Sequence, residues 1–148
     1  MIDNLDYKYM KLALEEARNA YKEDEVPIGC VIVSGDVVIK AHNTKEKTKD
    51  ATSHAEINAI KKACKRLDAK VLDGATIYVT IEPCLMCLGA ILQARIKRLV
   101  YGAKEEKFGA ISILNEYKSN HTLEVSGGVL EDECKELMQD FFKAKRLK

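Results

Sequence analysis

Two cysteines spaced as C-x-x-C lie near the middle of the chain and could take part in metal or redox chemistry. Cys84 and Cys87 stand in the segment TIEPCLMCLGAI (residues 80–91), directly after a proline. Because a spacing of three is close to one helical turn, both sulfurs would lie on one face of a helix. The pair could supply two metal ligands, form a redox-active dithiol or consist of two buried sulfurs. The spacing alone leaves these alternatives open.

A histidine and a glutamate earlier in the chain favour the metal. His54 lies 30 positions before Cys84, and Glu56 follows it in the tripeptide HAE. Zinc accepts imidazole and thiolate ligands in a tetrahedron, and catalytic sites leave one position for water. His54 would be the third ligand beside the two cysteines, and Glu56 could take a proton from the water and hand it onward. The pattern therefore predicts a catalytic zinc site with Glu56 as the proton shuttle.

Other uses of the C-x-x-C pair fit the sequence less well. A thioredoxin-like dithiol would leave His54 and Glu56 without a role. A structural zinc site would need a fourth ligand, and the sequence contains no second C-x-x-C and no H-x-x-x-H. The three remaining cysteines stand in apolar surroundings and are expected to be core residues: Cys30, Cys64 and Cys134.

Apolar periodicity predicts the elements that precede the HAE tripeptide. A first helix is expected from a cap at Asp6 to Pro27, because apolar residues recur at helical spacing between them. Residues 28–41 read as a β-hairpin around a Ser-Gly-Asp turn. Residues 42–53 are polar and aperiodic, which predicts a loop.

The second half of the chain alternates between helices and strands. The helix that carries Glu56 is expected at 54–66, with Thr52 or Ser53 as N-cap and Glu56 at the capping-box distance from Ser53. Residues 104–122 have no clear pattern. The other expected elements are strands at 75–80, 97–103 and 123–125, a helix at 84–95 and a closing helix after Gly127-Gly128. The order predicts an α/β fold in which helices cover both faces of a central sheet.

Composition restricts the cellular setting. The chain has 148 residues, 47% of them hydrophobic, and a net charge of +1, which indicates one globular domain over residues 1–148. No apolar run approaches the roughly 20 residues that span a bilayer, and the N-terminus lacks the pattern of a secretory signal. Five cysteines, an odd number, indicate a reducing compartment, so a cytoplasmic location is expected. The closing KAKRLK is basic, as solvated helix ends often are.

The combination of H-x-E, an intervening strand and P-C-x-x-C is the signature of zinc-dependent deaminases. Beyond the signature, the chain resembles the bacterial TadA-type tRNA adenosine deaminases along nearly its whole length. The segments that carry the resemblance are EVPIG (25–29), HN (42–43), HAE (54–56), LDGATIYVTIEPCLMCLGAI (72–91), RIKRLVYGA (95–103), NH (120–121), GVLEDEC (128–134) and DFFKAKR (140–146).

The resemblance implies a fold, a reaction and a partner. The fold is the three-layer α-β-α architecture of cytidine deaminases, with a mixed five-stranded sheet. The reaction is hydrolytic deamination of the wobble adenosine to inosine in a tRNA anticodon stem-loop, with Zn²⁺ as cofactor, and the family is dimeric. Asn43 would hydrogen-bond the flipped nucleoside and Ile28 would form an apolar wall. Four further residues would contact the RNA around the target: Glu105, Lys107, Phe142 and Arg146.

Departures from the family pattern concern the substrate side. Ala51-Thr52-Ser53 replaces Pro-Thr-Ala, Glu105 replaces an aspartate, and Phe108 and Ile111 to Ile113 replace a glycine-rich stretch. One rival is a deaminase of free guanine, cytosine or adenosine on the same scaffold. Another is a zinc-stabilised RNA-binding subunit without catalysis, for which Glu56 would not be needed. The basic closing helix favours an RNA substrate over a free base or nucleoside. Glu56 favours an enzyme over a non-catalytic RNA-binding subunit.

Overall fold

The computed structural model describes residues 2–117 and 121–147. Asn120 and Lys148, from the NH and KAKRLK segments named above, lie outside the described residues. Within them, no helix is both long and apolar enough to cross a membrane. The elements, in chain order, are α1 (Asn4–Lys22), β1 (Gly29–Ser34), β2 (Val37–His42), α2 (Lys45–Thr48), α3 (Ala55–Leu67), β3 (Thr76–Ile81), α4 (Leu85–Gln93), β4 (Arg98–Ala103), a 3₁₀ turn (Ile111–Ile113), β5 (Glu124–Ser126) and α5 (Glu131–Arg146).

The five strands form one mixed sheet in the order β2-β1-β3-β4-β5. Strand β1 pairs antiparallel with both β2 and β3, whereas β3–β4 and β4–β5 are parallel. Because β2 and β3 are each antiparallel to β1, they run in the same direction, and β4 runs with them. The chain therefore leaves β2, β3 and β4 at one end of the sheet, and it enters β1 there.

Helices cover both faces of the sheet, as the element order predicts. One face packs against α3 and α4 through small and branched residues, among them Ala59, Ile91 and Ile77. The other face packs against α1 and α5, with Met10 and Cys134 in that layer. Helix α1 crosses β1 so closely that a Cβ on Gly29 would lie 1.9 Å from the carbonyl oxygen of Ala13. The three-layer α-β-α fold with a mixed five-stranded sheet is confirmed.

The first helix begins earlier than the sequence predicts, because Asp6 is not its cap. Asp3 caps the helix, and its side chain and that of Asp6 accept each other's backbone N–H in a capping box. Asp6 is 1% exposed and its carboxylate binds Arg98 at 2.8 Å through both oxygens. The helix also ends at Lys22, ahead of Pro27, because Asp24 turns the chain at a positive φ of 62°.

The segment between β2 and α3 also differs from prediction. It contains the short helix α2, whose first N–H groups are accepted by the buried carboxylate of Glu25, from Glu46 at 2.9 Å and from Lys47 at 2.7 Å. No local pattern reveals a cap supplied 21 residues away. Helix α3 has His54 as its N-cap residue, without a side-chain cap, so the predicted capping by Thr52 or Ser53 is wrong. The Ser53 hydroxyl instead accepts from Thr48, and Thr52 binds Asp50.

Candidate active site

The predicted site residues meet at the sheet end where β2, β3 and β4 finish. His54 precedes α3, on the connection from β2, and Cys84 precedes α4, directly after β3. Both helices begin at this end, so their N-termini converge beside the same strands. Ligands of open α/β sheets bind at such carboxyl ends. The topology thus explains why residues 30 positions apart become neighbours.

His54, Cys84 and Cys87 form a compact group of potential metal ligands. The Nδ1 atom of His54 lies 3.7 Å from the Sγ of Cys84 and 3.5 Å from the Sγ of Cys87. One ligand atom from each residue lies within 4.8 Å of the other two. Tetrahedral zinc with ordinary bond lengths holds nitrogen and sulfur ligands roughly 3.6 Å apart. The donor types and their spacing therefore fit zinc.

The pKa values of the two thiols are shifted in opposite directions. Cys84 receives a hydrogen bond from Cys87 and lies beside His54, and together these lower the pKa of Cys84 to about 3. The same hydrogen bond and burial raise the pKa of Cys87 above its usual range. The contact with Cys84 raises the pKa of His54. These contacts therefore favour the thiolate form of Cys84, which is the form that binds a metal.

Glu56 is buried beside this group, with 4% of its surface exposed. Burial disfavours its charged form and the Cys84 thiolate adds to that effect, which raises the pKa of Glu56 to about 7. A carboxyl group with a pKa near neutrality can both accept and donate a proton under ordinary conditions. Its position at the first turn of α3, two residues after His54, keeps it next to the ligand group.

A cavity of about 390 Å³ opens next to His54. Four of the residues predicted for substrate binding line it: Ile28, Asn43, Glu105 and Phe142. Sequence reasoning did not assign a pocket role to five others: Val26, Lys45, Ala55, Phe108 and Met138. Met138 had a usable signal, since it precedes Phe142 by one helical turn and shares its face of α5. Val26 and Lys45 carry no such signal in the sequence.

Asn43, which lines this cavity, has a buried hydrogen-bond acceptor without a partner among the described residues. Its side chain donates to the carbonyl of Val26 at 3.4 Å, and the residue is 4% exposed. Its Oδ1 atom has no hydrogen-bond partner among residues 2–117 and 121–147. Buried polar atoms are rarely left unpaired, and the exceptions call for an explanation such as a ligand. Within the described residues, the Oδ1 atom of Asn43 is therefore an acceptor whose hydrogen-bonding capacity is unsatisfied.

The predicted RNA contacts differ in their relation to the cavity, because Phe142 lines it and Lys107 and Arg146 do not. Phe142 is 41% exposed, whereas its neighbour Phe141 is buried, so the closing helix presents one ring to the cavity and one to the core. Lys107 and Arg146 are exposed and are not among the lining residues. Lys107 lies over the ring of Phe108, with its Nζ 5.3 Å from the ring centroid.

The three cysteines predicted to be structural are free thiols. Cys30 and Cys134 are buried in the two core layers, as predicted. Cys64 packs against the core but is only half-buried. None of the three belongs to the ligand group around His54, although Cys30 lies close enough to Glu56 and Cys87 to interact with both electrostatically.

Comparison with known proteins places the whole chain in a deaminase family. A family model described as MafB19-like deaminase matches residues 4–146. The chain is 43% identical to the tRNA-specific adenosine deaminase of Bacillus subtilis, over 97% of this chain and 92% of that protein. The chain belongs to the tRNA-specific adenosine deaminase family. Another family member, from Aquifex aeolicus, is 43% identical over 93% of this chain and 94% of its own length.

Solved structures agree with this family membership. A structure from a study of A-to-I editing by tRNA:A34 deaminases at the wobble position of transfer RNA matches with a TM-score of 0.84 and 43% identity. The match covers 88% of this chain and 98% of the chain in the solved structure. A guanine deaminase from Nitrosomonas europaea matches with a TM-score of 0.80 but only 23% identity, over 91% of this chain and 83% of that one, which supports the fold alone.

Proposed function

We propose that this deaminase converts the wobble adenosine of a tRNA anticodon loop to inosine by hydrolysis. The observation that carries the proposal is the group of His54, Cys84 and Cys87 beside a buried glutamate and a nucleoside-sized cavity. The identities of the relatives support the substrate, since those from Bacillus subtilis and Aquifex aeolicus are named tRNA-specific adenosine deaminases. The proposed catalytic unit is the single domain of residues 1–148.

His54, Cys84 and Cys87 would hold Zn²⁺, and their donor atoms and spacing support this assignment. When bound, the metal supplies the Lewis acidity that activates a water molecule near neutral pH. A carboxylate oxygen of Glu56 would take a proton from the attacking water and deliver it to the departing amino nitrogen of the adenine. Water adds at C6, the C6–N bond breaks, and ammonia leaves as inosine forms.

The cavity would take the adenosine after it leaves its stack. Asn43 would offer its unpaired Oδ1 to a hydroxyl or amino group of the nucleoside, and Ile28 would contact the base. An anticodon loop is already partly unstacked, so extruding one base from it costs less than from a duplex. Phe142, exposed at the rim, is suited to stack on a neighbouring base.

Charged residues around the cavity would engage the rest of the loop. Lys107 and Arg146 would pair with phosphates, and Glu105 would contact a nucleotide that flanks the target. Lys45, which lines the cavity itself, adds a further cation. We expect these cations to make stem-loop binding weaken as salt is raised.

We further propose that the protein acts as a homodimer in the cytoplasm. Leu85 and Met86 start helix α4 beside the ligand group and are 64% and 37% exposed. Apolar side chains exposed next to an active site are typical of an interaction surface. The cytoplasmic location follows from the proposed tRNA substrate and the five free cysteines.

The decisive assay uses zinc-loaded protein and an anticodon stem-loop with adenosine at the wobble position. Free adenosine, cytosine and guanine are assayed in parallel, and a stem-loop with the adenosine moved one position serves as the matched control. We expect inosine only in the wobble-adenosine stem-loop. Turnover of a free base or nucleoside with an inert stem-loop would instead establish a small-molecule deaminase.

A further inference from the structure

Glu82 joins the metal-ligand segment to the loop that forms one wall of the cavity. It lies between the end of β3 and Pro83, two residues before Cys84. One carboxylate oxygen accepts the backbone N–H of Glu105 at 3.1 Å, and the other accepts that of Ile111 at 3.1 Å. Glu82 therefore binds both ends of the segment 105–111, which carries the cavity residues Glu105 and Phe108.

The attachment is rigid on both sides. The backbone N–H of Glu82 donates to Ala103 at 2.8 Å, which extends the β3–β4 pairing by one residue. The carbonyl of Pro83 accepts the N–H of Ala110 at 3.0 Å, so two consecutive residues hold the same loop. Within the loop, the N–H of Gly109 donates to the carbonyl of Glu105 at 3.0 Å.

Gly109 packs directly on the Glu82 side chain. A Cβ at this position would lie 2.4 Å from the Glu82 carboxyl carbon and 2.5 Å from the carbonyl oxygen of Glu105. No side chain larger than hydrogen fits there without moving the carboxylate or the loop. The glycine thus permits the close approach that lets one carboxylate reach two amides.

A carboxylate is suited to this task because both of its oxygens are acceptors. Glutamine has the same shape but presents an NH₂ group, which cannot accept a hydrogen bond from an amide. Hydrogen bonds to a charged acceptor are also roughly twice as strong as neutral ones. Glu82→Gln therefore removes one of the two attachments while preserving the packing against Gly109.

We propose that Glu82 is a positioning residue that fixes the 105–111 loop, and with it the Glu105–Phe108 wall, relative to the metal-ligand segment. Both of its carboxylate oxygens bind backbone amides of the loop, so we assign it no direct contact with substrate or metal. Its effect on catalysis passes through the protein loop 105–111. Glu82 therefore influences how the RNA is held and leaves the hydrolytic chemistry unchanged. This role rests on the proposed function insofar as the wall contacts RNA.

The test compares full-length Glu82→Gln with the matched control Glu106→Gln, which changes an exposed glutamate of the same loop. Amide hydrogen exchange is followed at Glu105 and Ile111, and bound zinc, KM and kcat are measured with the wobble-adenosine stem-loop. We expect roughly tenfold faster exchange at one or both amides and a KM raised by about tenfold in Glu82→Gln, with zinc content and kcat nearly unchanged. Glu106→Gln is expected to match the wild type.

The split between KM and kcat distinguishes positioning from general damage. A variant that is only less stable loses active molecules, which lowers the apparent kcat and leaves KM unchanged. Gly109→Ala places a methyl group against the Glu82 carboxylate and should also raise KM. Glu82→Asp keeps both acceptor oxygens, so its KM should be lower than that of Glu82→Gln.

Unchanged exchange at both amides in Glu82→Gln would overturn the proposed attachment. Faster exchange with unaltered KM and kcat would overturn the positioning role. If the wild type forms no inosine, the proposed function fails, and the exchange rates still decide whether Glu82 holds the loop.

Discussion

The Nδ1 atom of His54 lies 3.5 Å from the Sγ atom of Cys87, although 33 residues separate the two in sequence. The contact exists because β2 and β3 run in the same direction on either side of β1 and deliver their following helices to one sheet end. Strand direction thus brings the HAE and C-x-x-C motifs together at one end of the sheet.

Removing one thiol ligand should abolish stoichiometric zinc binding. In Cys87→Ser the hydroxyl replaces a thiolate that zinc strongly prefers at a site of this type. We expect bound zinc, measured by plasma mass spectrometry after gel filtration, to fall well below one per chain. Cys64→Ser is the matched control, because that half-buried thiol is separate from the group and should leave zinc content unchanged.

Replacing Asn43 should weaken substrate binding more than it slows the chemistry. Asn43→Ala removes the unpaired Oδ1 that we assign to the nucleoside, so KM for the stem-loop should rise by roughly tenfold. Steady-state kinetics and zinc content together separate this from damage to the metal site. Asn19→Ala, an exposed change on α1, should have no effect, and an unaltered KM in Asn43→Ala would remove that residue from the pocket's function.

The buried Asp6–Arg98 pair should make a large contribution to stability. Asp6→Asn removes the charge that neutralises Arg98, whose side chain is only 17% exposed, and weakens the acceptor of the Tyr78 hydroxyl. We expect the free energy of unfolding to fall by about 2–4 kcal/mol in chemical denaturation. The exposed pair Asp73–Arg95 offers a control, since Asp73→Asn should change stability by less than about 1 kcal/mol. Equal effects of the two variants would contradict the role of burial.

His42 should make the free energy of unfolding depend on pH. Burial disfavours its charged form, but hydrogen bonds from its two ring nitrogens to Glu16 and Glu23, each 2.9 Å, outweigh this and raise the pKa of His42 above 6.5. A raised folded-state pKa means that the contribution is full below pH 6.5 and is lost as pH rises through the folded-state pKa.

The measurement is the free energy of unfolding of zinc-loaded protein across this pH range. Wild type should lose about 1 kcal/mol on going to alkaline pH, a modest value because Glu23 is 36% exposed. His42→Gln should lack that pH-dependent component. Parallel pH profiles for the two proteins would rule out His42 as the titrating group.

The candidate ligand group and the layer architecture follow from the sequence because they depend on residue type and periodicity. His54, Glu56 and the C-x-x-C pair are chemically distinctive, and alternating helices and strands leave few ways to cover a sheet. Cys84 and Cys87 lie near the start of a helix after a buried strand, as their pattern predicts. The closing helix is likewise amphipathic as predicted, with Phe141 buried and Phe142 at the cavity.

Other features depend on distant partners and leave no local trace. Asp6 has the sequence context of a helix cap, yet its role is decided by Arg98, 92 residues away. Helix α2 forms in a polar stretch because the Glu25 carboxylate caps it from another segment. The Ser53–Glu56 capping box does not form, because Ser53 binds Thr48 and Glu56 is buried beside the ligand group. In each case a tertiary contact overrides the local preference.

We propose that Glu56 transfers the proton during deamination of the wobble adenosine, and this role can be tested directly. The most direct measurement compares wild type with Glu56→Gln on the wobble-adenosine stem-loop. The inosine formed is measured by mass spectrometry of the digested RNA and divided by the amount of zinc bound to the protein. The glutamine fills the same buried space but cannot exchange the proton. We expect normal zinc content and a rate at least about a hundredfold lower in Glu56→Gln. A zinc-loaded Glu56→Gln that forms inosine at the wild-type rate would rule out this role of Glu56.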